Sequence, residues 1–305
     1  MARAILGKYI QPDVLNRLAR HEFEPRQLVE GNLAGSHKSP FHGFAVEFAG
    51  HREYVPGDDL RHLDWKVYYR HDKHFIKQYE METNFVCHMM LDVSASMRYG
   101  RGGQQKLLYA SRMAATLGYL IIEQMDKVAL ATFDERIREA LPPSNALEQI
   151  IHMSEVLDTA RPVEKTAIGE TITQLAGRTG RRGIIILLSD LFVDLDDLAR
   201  ALQRLRYEQH EVVLFQVMHH DELEFRLPGM IRFEGLEIDE RFLTRPADIR
   251  TAYLEALNRF RDRLESICES NRCELVLCDT SRSMGELFAH YLQHRTVFRR
   301  RRWMR

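Results

Sequence analysis

The run Gly183-Ile184-Ile185-Ile186-Leu187-Leu188-Ser189 restricts the fold more than any other feature of this chain. An unbroken apolar strand has to be buried on both faces, as in the parallel sheets of α/β proteins. Phe85 to Leu91 is a second such run, and Glu211 to Met218 and Cys273 to Cys278 are further strands. Between them the apolar spacing turns helical. Leu107, Ala110, Ala114, Leu117 and Ile121 share one face of a helix predicted over 106–124. Helices are also predicted over 146–157, 168–175, 195–207, 247–270 and 284–294, and strands over 128–133 and 137–141. Strands alternating with helices predict a doubly wound, mostly parallel, Rossmann-like sheet covered on both sides. The stretch 219–246 breaks the alternation and reads as a hairpin insertion.

The first 84 residues follow a different pattern. A helix is predicted near Pro12 to His21. Turn signals at Ser39-Pro40, His42-Gly43 and Pro56-Gly57-Asp58-Asp59 then separate short alternating segments such as Trp65–Tyr69 and His74–Tyr79. The expected organisation is a small β-rich lobe over 1–84, an α/β domain over 85–295 and a basic tail over 296–305. Arg52, Asp58, Asp59, Arg61 and Asp64 are read as a salt-bridge network within the lobe, and Trp65 as its core anchor.

Composition narrows the function classes. With 43 basic and 44 acidic residues the formal net charge is -1, which gives no global attraction to nucleic acid or anionic lipid. The tail Arg299-Arg300-Arg301-Arg302-Trp303-Met304-Arg305 is the exception, and is read first as a solvated terminus. Its sharper readings are a docking peptide or a nucleic-acid contact pairing phosphate binding with stacking on Trp303. Cys87, Cys268, Cys273 and Cys278 form no CxxC pair, which argues against zinc and a disulfide framework and suits a cytoplasmic location. Fourteen histidines suggest no metal site either. His71 and His74 fall on opposite faces of a strand-like segment, and His219 and His220 are adjacent. No apolar run is long enough to span a bilayer, so no membrane span is expected.

Two aspartates end the two strongest strands. Asp92 follows the first, and Asp190 follows the fourth when 128–133 and 137–141 are counted as the second and third. In the strand order 3-2-1-4-5-6 the first and fourth strands are neighbours, and ligands bind in the crevice at their carboxyl ends. Asp92 opens the string Asp92-Val93-Ser94-Ala95-Ser96. Alternate oxygen ligands on a loop can converge, and carboxylate and hydroxyl oxygens suit Mg²⁺, Mn²⁺ or Ca²⁺. A D-x-S-x-S string arises by chance in roughly one such chain in twenty; its place at a strand end makes it more specific. Thr166 adds a hydroxyl before the 168–175 helix. The competing structural reading is helix capping by Asp92, Ser94 and Ser96.

Asp92, Ser94, Ser96, Thr166 and Asp190 together resemble the metal-ion-dependent adhesion site of von Willebrand factor A domains. The resemblance implies that Ser94 and Ser96 bind metal directly, and that Thr166 and Asp190 do so directly or through water. It also implies an open coordination position for an acidic side chain of a partner or client protein. Gly35-Ser36-His37-Lys38-Ser39, Gly43, Glu47-Phe48, Arg52 to Asp59, Arg61, Asp64-Trp65 and Lys77 to Glu82 further resemble the family called domain of unknown function 58. That likeness runs through Asp279-Thr280 to the final helix. It implies an adaptor role beside a MoxR-type AAA+ ATPase, and the family name leaves the biochemical activity open; the expectation from the site is an interaction module and not an enzyme. The enzymatic alternative resembles haloacid-dehalogenase-like Mg²⁺-dependent phosphohydrolases with Asp92 as nucleophile, but Ser94 stands where that family has its second aspartate.

Overall fold

The computed structural model describes residues 2–23, 25, 34–39, 47–55, 63–71, 73–83, 85–161, 169, 171–172, 174, 182–236 and 241–303. The chain divides into two compact units, Gln27–Phe85 and a larger one formed by Met1–Arg26 with Val86–Arg305.

The larger unit is built on a six-stranded sheet. Its strands are β4 (Val86–Asp92), β5 (Lys127–Phe133), β6 (Ile137–Ser144), β7 (Ile184–Ser189), β8 (Glu211–Met218) and β11 (Glu274–Asp279), in spatial order β11-β8-β7-β4-β5-β6. Counted within the sheet, that is the 3-2-1-4-5-6 order expected from the sequence. All neighbours are parallel except β5 and β6, which pair antiparallel. A short connection leaves β6 no room for a parallel crossover. Every residue of β7 and β8 is buried, as the apolar runs require. The architecture is therefore an α/β fold with a mostly parallel sheet of the von Willebrand factor A and Rossmann-like kind, with extra β elements.

Helix α4 (Lys106–Glu123) follows β4 and is buried along most of its length. Helix α5 is Glu148–Thr159, α6 is Leu195–Tyr207, and α8 is the long Pro246–Ser270 helix. Asp194 caps α6 by accepting from the backbone N–H groups of Asp196 and Asp197. Gly169, Thr171, Ile172 and Gln174 are helical, within the predicted 168–175 helix. The stretch after β8 holds a short helix, α7 (His220–Glu224), and a hairpin of β9 (Ile231–Glu234) with β10 (Arg241–Thr244).

The first residues depart from the expected lobe. Helices α1 (Ala2–Tyr9) and α2 (Pro12–Leu18) belong to the larger unit. Lys8 and Tyr9 bond Asp158 on α5, Arg17 bonds Glu286, and Leu18 and Phe23 are fully buried. The C-terminal end also differs. Helix α9 runs over Met284–Trp303, so the backbone of the arginine tail continues a helix. The histidines at 290 and 294 lie one helical turn apart, with Nε2 atoms 3.1 Å from each other.

The smaller unit carries an antiparallel sheet in the order β1-β3-β2, with β1 Ala34–Ser39, β2 Glu47–Glu53 and β3 Phe75–Thr83. Trp65–Tyr69, expected as a strand segment, lies in helix α3 (Trp65–His71). Asp64 explains the difference: its Oδ1 accepts from the backbone N–H of Lys66 at 2.9 Å, capping the helix, while its Oδ2 pairs with His51. Trp65 is exposed and does not anchor a core. Asp58, Asp59 and Arg61 lie outside the described residues, as does the side chain of Arg52.

Arg295 ties α9 to the sheet. It is fully buried, pairs with Glu211 on β8 and with Glu274 on β11 at 2.7 Å, and lies over the ring of Phe23. Burial works against its charge, but the two carboxylates and Tyr291 outweigh that and hold its pKa up. Removing one partner of a buried pair strands the other charge. Arg295→Met should therefore lower unfolding stability by about 3–5 kcal/mol. Guanidinium denaturation would measure it, and a loss under about 1 kcal/mol, the range of surface ion pairs, would contradict the role.

Candidate functional site

Parallel pairing of β4 and β7 aligns Leu91 with Leu188, which brings the two strand ends out side by side. Asp92 and Asp190 thus meet at the sheet's switch point, both with no exposed surface. The loop after β4 turns sharply. Asp92 Oδ1 accepts from the Ser94 backbone N–H at 2.8 Å, and Ala95–Arg98 forms a 3-10 turn. The Oγ atoms of Ser94 and Ser96 lie 3.1 Å apart. Asp92, Ser94 and Ser96 therefore present three hard oxygen donors close together. Thr166 lies outside the described residues.

The second strand end holds the site from the other side. Ser189 Oγ donates to Asp92 Oδ2 at 2.5 Å and accepts from the Leu191 backbone N–H. Asp190 Oδ1 accepts from the Phe192 N–H. Between them Leu191 has φ 61, a left-handed conformation that a leucine rarely adopts. Buried side-chain packing and these two turn bonds hold it there.

Sequence reasoning missed two members. Lys106, the first residue of α4, is buried with Nζ 2.8 Å from Asp190 Oδ2 and 2.9 Å from Glu222 Oε1. Glu222 lies on α7, where its other oxygen accepts from the His219 backbone N–H at 2.8 Å. Its helix packs over the loop after β4: the ring of His219 meets that of Tyr99 edge-on at 5.0 Å. Gly100, φ 96, makes this approach possible, because a Cβ there would lie 2.8 Å from His219 Cδ2. A signal for Lys106 existed in the sequence. A cation at a helix N-terminus opposes the helix dipole, so it needs a partner elsewhere. Glu222 fell in a stretch read as irregular and gave no such signal.

The charges are unevenly balanced. Asp92, Asp190 and Glu222 supply three carboxylates against the one ammonium of Lys106. Burial first, then the neighbouring Asp190, pushes the Asp92 pKa up to about 7, with the bonds from Ser189 and Ser94 pulling it back down. Burial pulls Lys106 downward, but Asp190 and Glu222 outweigh it and the net shift is upward, so the lysine stays charged. Among the described residues no three His, Cys, Asp or Glu side chains form a cluster that could hold a metal ion. The donors beside Asp92 are serine hydroxyls instead.

Ser189→Ala removes a hydrogen bond that stabilises the ionised Asp92. The Asp92 titration, followed by its carboxyl infrared band, should then move above its wild-type position. An unmoved or lowered titration would contradict the arrangement.

Comparison with known proteins gives a family. The pattern of the family described as "Protein of unknown function DUF58" matches residues 50–263, a span that contains every described residue of the crevice. Uncharacterized proteins from Mycobacterium bovis and Mycobacterium tuberculosis are 24% identical over 234 residues, covering 76% of this chain and 73% of theirs. Among solved structures, BatB from Bacteroides thetaiotaomicron superposes with a TM-score of 0.47 at 16% identity, over 70% of this chain and 99% of that one. The SpRpn10 VWA domain superposes with a TM-score of 0.38 at 16% identity, over 68% and 94%. The match over residues 50–263 spans more than half of the sequence, and the chain belongs to the DUF58 family.

Proposed function

We propose that this protein is a von Willebrand factor A-like protein–protein interaction module, not an enzyme, whose crevice holds a divalent cation that a partner's acidic side chain completes. The observation that carries this reading is the convergence of Asp92, Ser94 and Ser96 at the switch point beside a surplus of carboxylate. The donor set fits a hard cation: three oxygens gather on one turn, and more negative than positive charge is buried around them. Mg²⁺ is the first expectation, with Mn²⁺ and Ca²⁺ as alternatives. Asp92, Ser94 and Ser96 would hold it, with Asp190 beside them, and the resemblance adds Thr166 as a further ligand. A bound cation would supply a coordination position for a carboxylate. The chain's own residues fix the turn, exclude water from Asp92 and keep both strand ends in place.

The partner that family resemblance favours is a MoxR-type AAA+ ATPase, with a client protein as a second source of the acidic ligand. Among the described residues no helix is long and apolar enough to cross a membrane. Cys87, Cys268, Cys273 and Cys278 are free thiols, in keeping with a cytoplasmic setting. The phosphohydrolase reading gains nothing from the geometry. Ser94 stands two residues after Asp92, where that chemistry needs a second carboxylate as general acid. Nucleic-acid binding rests only on the arginine tail.

Titration of Mg²⁺ by calorimetry tests the site. Wild type should give saturable heats that Asp92→Ala lacks, and equal heats from the two proteins would contradict the assignment. Metal and proton compete for Asp92. Its folded pKa is raised, so the stability that its protonated form contributes is present below pH 3.8 and is lost as pH rises through about 7. Metal binding should accordingly release a proton below that value, and affinity should fall about tenfold from pH 8 to pH 6. A pH-independent affinity would point to a different ligand set. Recovery of an AAA+ ATPase on immobilised protein with Mg²⁺ but not with chelator would support the proposed partner; equal recovery in both would count against a metal-dependent contact.

A further inference from the structure

Lys106 stands where the proposed ion's charge would act, and nothing in the family resemblance accounts for it. Its ammonium is buried, and it reaches two carboxylates from different segments, Asp190 after β7 and Glu222 on α7. A third contact is aromatic: Nζ lies 5.7 Å from the centre of the Phe192 ring. The backbone N–H of Lys106 donates to Tyr99 O, which fixes the start of α4 against the loop that carries Ser94 and Ser96. The lysine is thus held on every side and cannot snorkel to water as exposed lysines do.

The groups around it define what it can do. Asp190 spends one oxygen on the Phe192 N–H and the other on Lys106. Asp92 and Asp190 repel one another, so any positive charge in the crevice relieves both. An ammonium and a divalent ion close to the same carboxylates repel each other in turn, strongly where water is excluded. A site with a resident cation therefore binds a second cation more weakly than the same site without it.

We propose that Lys106 is the resident cation of the switch-point crevice and competes with a divalent ion for Asp190. The lysine, and not the serine hydroxyls, then sets how tightly the site holds metal. This inference rests on the metal reading above. It assigns Asp190 as the counter-ion of Lys106 in the metal-free protein, and Asp92, Ser94 and Ser96 as the donors that receive the ion. Because Glu222 shares the ammonium, α7 is held by the same charge. A metal that takes Asp190 leaves Lys106 to Glu222 alone.

Calorimetric Mg²⁺ titration of the full chain at pH 8 compares wild type with Lys106→Met, which removes the charge, and Lys106→Arg, which keeps it. Lys106→Met should bind Mg²⁺ at least about tenfold more tightly than wild type, and Lys106→Arg should stay within about threefold. Adding Asp92→Asn to Lys106→Met should abolish the gain, which locates the ion. Lys106→Met also strands Asp190, so its thermal unfolding is followed with and without Mg²⁺. The ion should raise its midpoint more than that of wild type, and a variant unfolded without metal should fold when Mg²⁺ is added. Binding to Lys106→Met that is equal to or weaker than wild type overturns the competition while leaving the metal site standing. No Mg²⁺ binding to either protein overturns both.

Discussion

Two carboxylates buried side by side need positive charge, and the architecture of this crevice follows from meeting that need. Asp92 and Asp190 arrive together because β4 and β7 are parallel neighbours whose ends lie level. The fold satisfies part of the demand internally. Ser189 and the Ser94 N–H donate to Asp92, and Lys106 donates to Asp190. What is left over is the raised Asp92 pKa, an imbalance that a divalent ion would remove. The same charges join separate parts of the chain: the start of α4, the turn after β7 and the helix α7 meet at Lys106.

Beyond Glu222 the connection continues through aromatic rings. Phe225, directly after α7, stacks on Tyr253 of α8 at 4.1 Å and on Phe233 of β9, which in turn stacks on Phe242 of β10. Phe242 and Leu243 are exposed at the end of this series. The hairpin and the crevice therefore share one anchor, the short helix whose Glu222 grips Lys106. Elsewhere a second buried cation, Arg295, performs the same task at the opposite, amino-terminal end of the parallel strands, gathering Glu211 and Glu274 from adjacent strands. An apolar residue at either position would leave a buried carboxylate, Asp190 or Glu211, without its cation.

The sheet order is legible in the sequence because apolar runs and the alternation of elements leave few topologies, and that order alone puts Asp92 and Asp190 at neighbouring strand ends. The D-x-S-x-S turn was legible because its donors are local in sequence. Long-range charge pairing was not. Lys106 lies 84 residues from Asp190 and 116 from Glu222, and a hydrophobic pattern says nothing about which cation faces which anion. Arg295 was hidden likewise, adjoining a tail read as solvated. Trp65–Tyr69 was misread as a strand because its aromatic and β-branched residues suit one, whereas the Asp64 cap that starts a helix there depends on one side-chain bond.

The cation proposed at the switch point would be held by the turn Asp92-Ser94-Ser96. Manganese is a hard divalent ion with a usable anomalous signal, so crystals grown with Mn²⁺ test the claim directly. One anomalous peak is expected within coordination distance, about 2.0–2.6 Å, of Asp92 and the Ser94 and Ser96 hydroxyls. A map with no peak there, in crystals that take up manganese elsewhere or not at all, would contradict it.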